Sequence, residues 1–181
     1  MNMNIIVEAP TMAATTGALK VGDLSFPCTL GGAGIIHAAD KIEGDKKTPI
    51  GTYPLRRVLY RADRLAKPET GLPVDVLTPD TGWCEDPRHP DYNRQVKIPH
   101  PAVTDHMSRE DNLYDCVVIV GHNDDPVVPD KGSAIFMHLA RLDFTPTAGC
   151  VGLLLSDLMA VLKLCETDTM ITIGLRPDSR S

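Results

Sequence analysis

The apolar residues of this chain fall mostly in short β-rich runs, and only one stretch repeats them at helical spacing. Runs this short bury a face only by pairing with one another, so the contrast points to a mainly β fold with one main helix. Candidate strands are Asn4–Glu8, Ala18–Val21, Leu24–Leu30, Thr52–Tyr60, Cys116–Val120, Ala134–Leu139 and Met170–Ile173. Between the second and third, Gly22-Asp23 has glycine first, as a two-residue type II′ hairpin turn requires. The helix lies in the C-terminal half. Leu158, Met159, Val161, Leu162 and Cys165 recur on one face, and Ser156 is placed to cap it.

The stretch from Arg61 to Asn112 has little regular pattern. It holds seven of the 15 prolines, the single tryptophan and three of the six histidines. A segment of this length and composition reads as a Pro-rich lid or binding insertion. At 181 residues, without repeats or a linker, the expectation is a single domain over 1–181 with 61–112 inserted in it.

Charge and hydropathy exclude several classes of partner. The net charge is −6 and no run of Lys or Arg exceeds two residues, which argues against nucleic acid. No apolar run approaches the roughly 20 residues of a membrane span. The N-terminal MNMNIIVEAP carries no cationic side chain before its apolar run, so it does not read as a secretory signal. By itself that suggests the cytoplasm, or a mature form whose leader has been removed.

Five scattered cysteines, an odd number, do not form a disulfide framework or a C-x-x-C zinc site. Cys28, Cys116 and Cys165 lie in strand or helix runs and read as small core hydrophobes. Cys84 and Cys150 stand in loop sequence. His138 closes the run AIFMHLA, and eleven residues separate it from Cys150. Closing that loop costs about a few kcal/mol, and Pro146 and Gly149 help it turn. An imidazole beside a thiol can take its proton and stabilise the thiolate as an ion pair. The expectation is therefore a Cys150 nucleophile and a His138 base, with Gly149 and Cys150 backbone amides facing an oxyanion. Glycine at 149 would let substrate approach closely.

Two ordered motifs carry a family resemblance. KIEGDKKTPIGTYPL supplies Gly44, Asp45, Thr48, Pro49, Gly51 and Tyr53, and IFMHLARLDFTPTAGCVGL supplies His138, Thr147, Gly149, Cys150 and Val151. Together they resemble the L,D-transpeptidase catalytic domain, also called YkuD, from about Gly31 to Ile173. The resemblance implies a YkuD-like β-sandwich, a cysteine nucleophile with a histidine base, and no metal or organic cofactor. It implies attack on the L-to-D bond of a peptidoglycan tetrapeptide, release of D-alanine, and transfer of the thioester-bound acyl group to an amine. An L,D-carboxypeptidase or thiol amidase is the alternative on the same scaffold; a non-catalytic cell-wall binding module and a zinc peptidase are the others. The partner implied is peptidoglycan or a muropeptide in the periplasm or cell envelope. The oligomeric state stays open.

The chain departs from the widespread family pattern at three places. Leu139 replaces a glycine after the histidine, the gap to the cysteine is shorter, and Gly152 stands where an arginine is usual. Arg141, in HLARLD, is a candidate to bind the carboxylate that this arginine would take, with Asp143 beside it. His122 follows a strand and could reach the same cleft. Thr147 belongs to the nucleophile loop. Trp83, Asp86, Tyr92 and Asn93 are candidate groove walls for substrate. His89, His100 and His106 lack compact metal-ligand spacing, so no metal site is expected.

Overall fold

The computed structural model describes residues 3–178; the outermost ends of the expected 1–181 domain lie outside them. The strands are β1 (Ile5–Ala9), β2 (Thr16–Val21), β3 (Leu24–Thr29), β4 (Ile35–His37), β5 (Thr48–Tyr60), β6 (Val74–Val76), β7 (Thr81–Cys84), β8 (Gln95–Lys97), β9 (Thr104–His106), β10 (Cys116–Val120), β11 (Phe136–Leu139), β12 (Val151–Leu153) and β13 (Met170–Leu175). Among the described residues one α-helix, α1 (Leu155–Leu162), precedes β13. The mainly β expectation holds, and the helix takes up the expected periodic run except for Cys165, which lies beyond its C-terminal end.

Eight strands close into a mixed barrel rather than the sandwich expected. Pairing runs β10-β11-β12-β3-β2-β1-β13-β5, and β5 returns to pair with β10. β1–β13 and β11–β12 are parallel, and the other contacts around the ring are antiparallel. The 13-residue β5 makes the closure possible. Its first half pairs with β13, as Tyr53 with Ile171, and its second half with β10, as Leu59 with Val117. Pro54, which has no N–H to give a ladder, sits where β5 passes from one partner to the other.

Alternation along the ring strands sorts their side chains into two cores. Ile5, Leu19, Val58, Cys116, Val118, Met137, Val151 and Ile171 point to one face and fill the barrel, joined by Leu158, Val161 and Leu162 of α1. Leu59, Val117, Ile119 and Phe136 point the other way, out from β5, β10 and β11. Over them lies a three-stranded antiparallel sheet, β8-β7-β9, whose Trp83, with Leu77 and Met107, completes the second core.

That outer sheet corrects the picture of 61–112 as an irregular insertion. The segment contains β6, which pairs parallel with β5, and all three strands of the small sheet. Short strands of three or four residues leave too few alternations to be visible in sequence. Three smaller expectations also change. The helix N-cap is Leu154, with no side-chain cap bond, so Ser156 lies inside the helix. Cys84 lies in β7, fully buried. The Gly22 turn holds, with φ +55°.

Candidate active site

The parallel pairing of β11 with β12 brings the His138 and Cys150 motifs together. His138 lies opposite Gly152, and Cys150 immediately precedes β12. By strand alternation Cys150 and Gly152 face the side that carries Phe136 and His138, so thiol and imidazole stand diagonally on one face. Gly152 fits because nothing larger can: a Cβ there would lie 2.4 Å from Cγ2 of Thr29. Thr29 in turn bonds the carbonyls of Phe144 and Thr145 and anchors the loop between base and nucleophile. The arginine usual in the family has no room at this position.

The upstream motif forms the floor of the cysteine loop. Asp45 accepts bonds from Lys41 Nζ (2.6 Å) and from the Ile42 and Lys47 amides, holding the Lys41–Lys47 turn. Thr48 Oγ1 accepts the Gly31 N–H, and Gly32 donates to the Thr147 carbonyl. Gly149 has φ +136°, and a Cβ would stand 2.9 Å from the Lys47 carbonyl oxygen. Glycine before the nucleophile is thus required by packing on the turn and by backbone conformation. Thr147 Oγ1 accepts the Gly149 N–H (3.0 Å) and donates to the Cys150 carbonyl (2.7 Å). The Gly149 amide expected at an oxyanion is therefore engaged inside its own loop, and Thr147 braces that loop.

Thiol and imidazole are not an ion pair. Cys150 is only 7% exposed, and Sγ donates to the Ala134 carbonyl (3.2 Å) while accepting the Phe136 N–H (3.4 Å). Burial pushes its pKa up to about 12, and the Asp105 and Glu85 carboxylates push the same way. His138 is buried too, and burial lowers its pKa to about 4. Its Nδ1 lies 2.8 Å from the Leu139 carbonyl, which can only accept, so Nδ1 carries the proton. Nε2 is left with a free lone pair, the tautomer a general base requires. The resting pair is a neutral thiol and a neutral imidazole, with no hydrogen bond between them among the described residues.

A cleft of about 250 Å³ opens at His138, lined also by Arg109, Tyr114, Arg141 and the Thr145–Ala148 loop. Arg141 reaches it as expected, half-exposed, with Nη2 3.6 Å from Asp111. Arg109 and Tyr114 were not anticipated. Arg109 forks onto Asp111 (2.8 and 2.7 Å), which holds that carboxyl down at about 2, and covers the Tyr114 ring at 5.2 Å. The Tyr114 ring stands 5.2 Å from His138, and its hydroxyl donates to Asp105 (2.9 Å). A basic residue flanked by an acid two positions on, as in R-E-D, is too common a pattern to single out.

The remaining candidates fall elsewhere. Asp143 is absent from the cleft lining; its Oδ1 accepts from the amide and hydroxyl of Thr145. His122 is buried against Tyr53 with Nε2 on the Lys131 carbonyl, and burial lowers its pKa. Tyr92 is buried and donates to Glu43 (2.6 Å), so it walls no groove. Asn93 bridges Trp83 Nε1, the Ala134 N–H and the carbonyls of His122 and Asn123. His89, Asp91 and His100 come within 4.8 Å of one another, close enough to hold a cation, while His106 lies apart in β9. Both Nδ1 atoms of that group accept backbone N–H bonds, from Asp91 and Ala102. Their protons therefore sit on Nε2, where His100 faces Asp91 at 3.0 Å, and a metal would have to displace this bonding.

A solved structure, L,D-transpeptidase 1 of Mycobacterium tuberculosis, resembles the chain with 14% identity and a TM-score of 0.39. The match covers 94% of this chain and 62% of that one. No curated protein matches. The family model described as the L,D-transpeptidase catalytic domain, YkuD, matches residues 5–173, and the chain belongs to that family.

Proposed function

We propose that the protein is a cysteine acyltransferase acting on peptidoglycan stem peptides in the cell envelope, with Cys150 as nucleophile and His138 as base. The observation that carries this reading is the pairing of β11 with β12, which sets both side chains on one face with the imidazole in its base-competent tautomer. For reaction, Sγ leaves the Ala134 carbonyl and delivers its proton to His138 Nε2 as it attacks the peptide carbonyl. The imidazolium then protonates the departing D-alanine amine. An incoming amine gives its proton to the same nitrogen and releases the acyl group from the thioester. No metal or organic cofactor enters these steps. Arg141, supported by Arg109, takes the carboxylate left without a partner by Gly152. Leu77, Trp83 and Met107 cluster with the thiol and keep water from the thioester, which favours transfer over hydrolysis.

The test is mass spectrometry of products from a disaccharide-tetrapeptide. Wild-type protein yields crosslinked dimer and free D-alanine, and Cys150→Ala yields neither. Tripeptide alone assigns the hydrolase. Turnover by Cys150→Ala removes the nucleophile.

A further inference from the structure

A second groove, of about 360 Å³, shares no lining residue with the His138 cleft. Its walls carry Arg56, Arg57 and Arg94 against a single carboxylate, Asp124, in a chain whose net charge is −6. Arg56 consumes that carboxylate in a two-bond fork, each bond 2.9 Å. Among the described residues Arg57 donates only to the neutral Gln95 side chain, and Arg94 is exposed without an acidic partner. Two guanidiniums therefore face the groove uncompensated. A guanidinium fork matches a planar carboxylate, as Arg56 already demonstrates on Asp124.

The floor of the groove is buried and hydrogen-bonded, and it leads to the nucleophile. Trp83 Nε1 bonds Asn93 Oδ1 (3.0 Å), and the same oxygen accepts the Ala134 N–H (3.0 Å). The Ala134 carbonyl holds the Cys150 thiol at 3.2 Å. One residue thus separates the groove wall from the reacting sulfur.

We propose that this groove binds a free carboxylate of an acidic peptide, held by Arg57 and Arg94 in the groove whose floor Trp83 lines. The substrate class rests on the acyl-transfer reading above; the charge and geometry of the groove do not.

Trp83 is the only tryptophan in the chain, so its fluorescence reports on this groove directly. The experiment titrates Cys150→Ala protein, in which no thioester can form, with the stem tetrapeptide and with the same peptide amidated at its carboxylates. The free peptide changes the emission and the amidated one does not. Arg94→Gln weakens binding by roughly tenfold, and the double change Arg57→Gln with Arg94→Gln by roughly a hundredfold. Should the double variant fail to fold, Arg94→Gln on its exposed side chain decides. Equal binding of both peptides, or an unchanged Kd in Arg94→Gln, overturns the proposal. Displacement of the peptide by glycerol phosphate at lower concentration than by acetate also overturns it, in favour of a phosphate. A carbapenem adduct on the wild-type protein tests the acyl-transfer reading separately. An adduct without charge-dependent emission defeats the groove alone, and the reverse result defeats the acyl-transfer reading alone.

Discussion

The barrel interior and the outer core are built from opposite faces of the same strands, yet they are held together differently. Inside the ring the buried cluster is aliphatic apart from sulfur-bearing side chains and Tyr53, and strand alternation together with one face of α1 puts those residues there. Outside, the apolar cluster of Phe136, Trp83, Ile119 and Cys150 is threaded with buried polar groups. Asn93 satisfies Trp83 and Ala134, Tyr114 donates to Asp105, and His138 donates to the Leu139 carbonyl. Each such group costs about 1–3 kcal/mol if its partner is lost. The barrel therefore tolerates repacking, while the outer core depends on individual bonds. The same low-polarity surroundings that make those bonds necessary hold the thiol and imidazole neutral.

The largest expected effect separates the two regions most sharply. His138→Gln removes the proton acceptor and should lower acylation by a carbapenem by roughly 10²–10⁴-fold. It should also change how stability depends on pH. The folded pKa of about 4 lies below the unfolded reference of 6.5, so the unfolded chain binds the extra proton between those values. Stability from this group is present above pH 6.5 and falls away on acidification to pH 4, by about 3 kcal/mol in all. In the variant that part of the slope disappears. Urea melts at pH 7 and pH 4 check it, and an unchanged difference between wild type and variant would place the neutral histidine elsewhere. Because the resting thiol is not an ion pair, alkylation of Cys150 should be slow at pH 7 and rise only in alkali. A plateau near pH 6 would restore the thiolate–imidazolium pair.

A matched pair of truncations sharpens the comparison further. Met137 and Phe136 are neighbours on β11, fully buried on opposite faces. Met137→Ala opens a cavity in the barrel and should cost about 2–5 kcal/mol of stability, with the acylation rate of the folded protein nearly kept. Phe136→Ala should cost about 3–5 kcal/mol. It also removes the ring between Trp83 (5.0 Å) and Tyr114 (6.0 Å), so acylation should fall even where the protein is folded. Equal kinetic loss in both variants would mean that the two cores act as one unit.

What the sequence disclosed follows the same division. Most barrel strands were legible, β1 because only alternate residues are buried and Cys116–Val120 as a continuous, largely β-branched run that buries both faces, whereas the three-residue β12 was not. The closure was not, since β5 finds its two partners about 60 and 120 residues away. His138 and Cys150 were legible through motif and spacing. Their burial was not, because Cys150 clusters with Trp83 of β7, a strand too short to show a period, and the ring against His138 is Tyr114, from irregular chain. The packing constraint on Gly149 was not legible for a related reason: it comes from the Lys47 carbonyl, a backbone atom that no side-chain pattern announces.

The smallest effect tests the outer core by its charge. Glu85 follows β7 half-buried, and its pKa is pushed up to about 7, by burial first and then by the Asp105 and Glu43 carboxylates. A folded pKa above the unfolded value means that the folded protein holds the proton longer. Stability is full below about pH 4.3 and declines as pH rises through 7, where the carboxylate must ionise in a poor site. Glu85→Gln removes the ionisation, so it should stabilise the protein by about 1–2 kcal/mol at pH 8, discounted for partial exposure, and by close to nothing at pH 4. Glu85 also raises the pKa of the Cys150 thiol, so alkylation of that thiol should begin at lower pH in the variant. Barrel truncations such as Met137→Ala carry no charge and should cost the same at both pH values. Thermal melts of the two variants at pH 4 and pH 8 decide it. A gain from Glu85→Gln that is equal at both would show packing rather than charge at work, and the outer core would then differ from the barrel only in position.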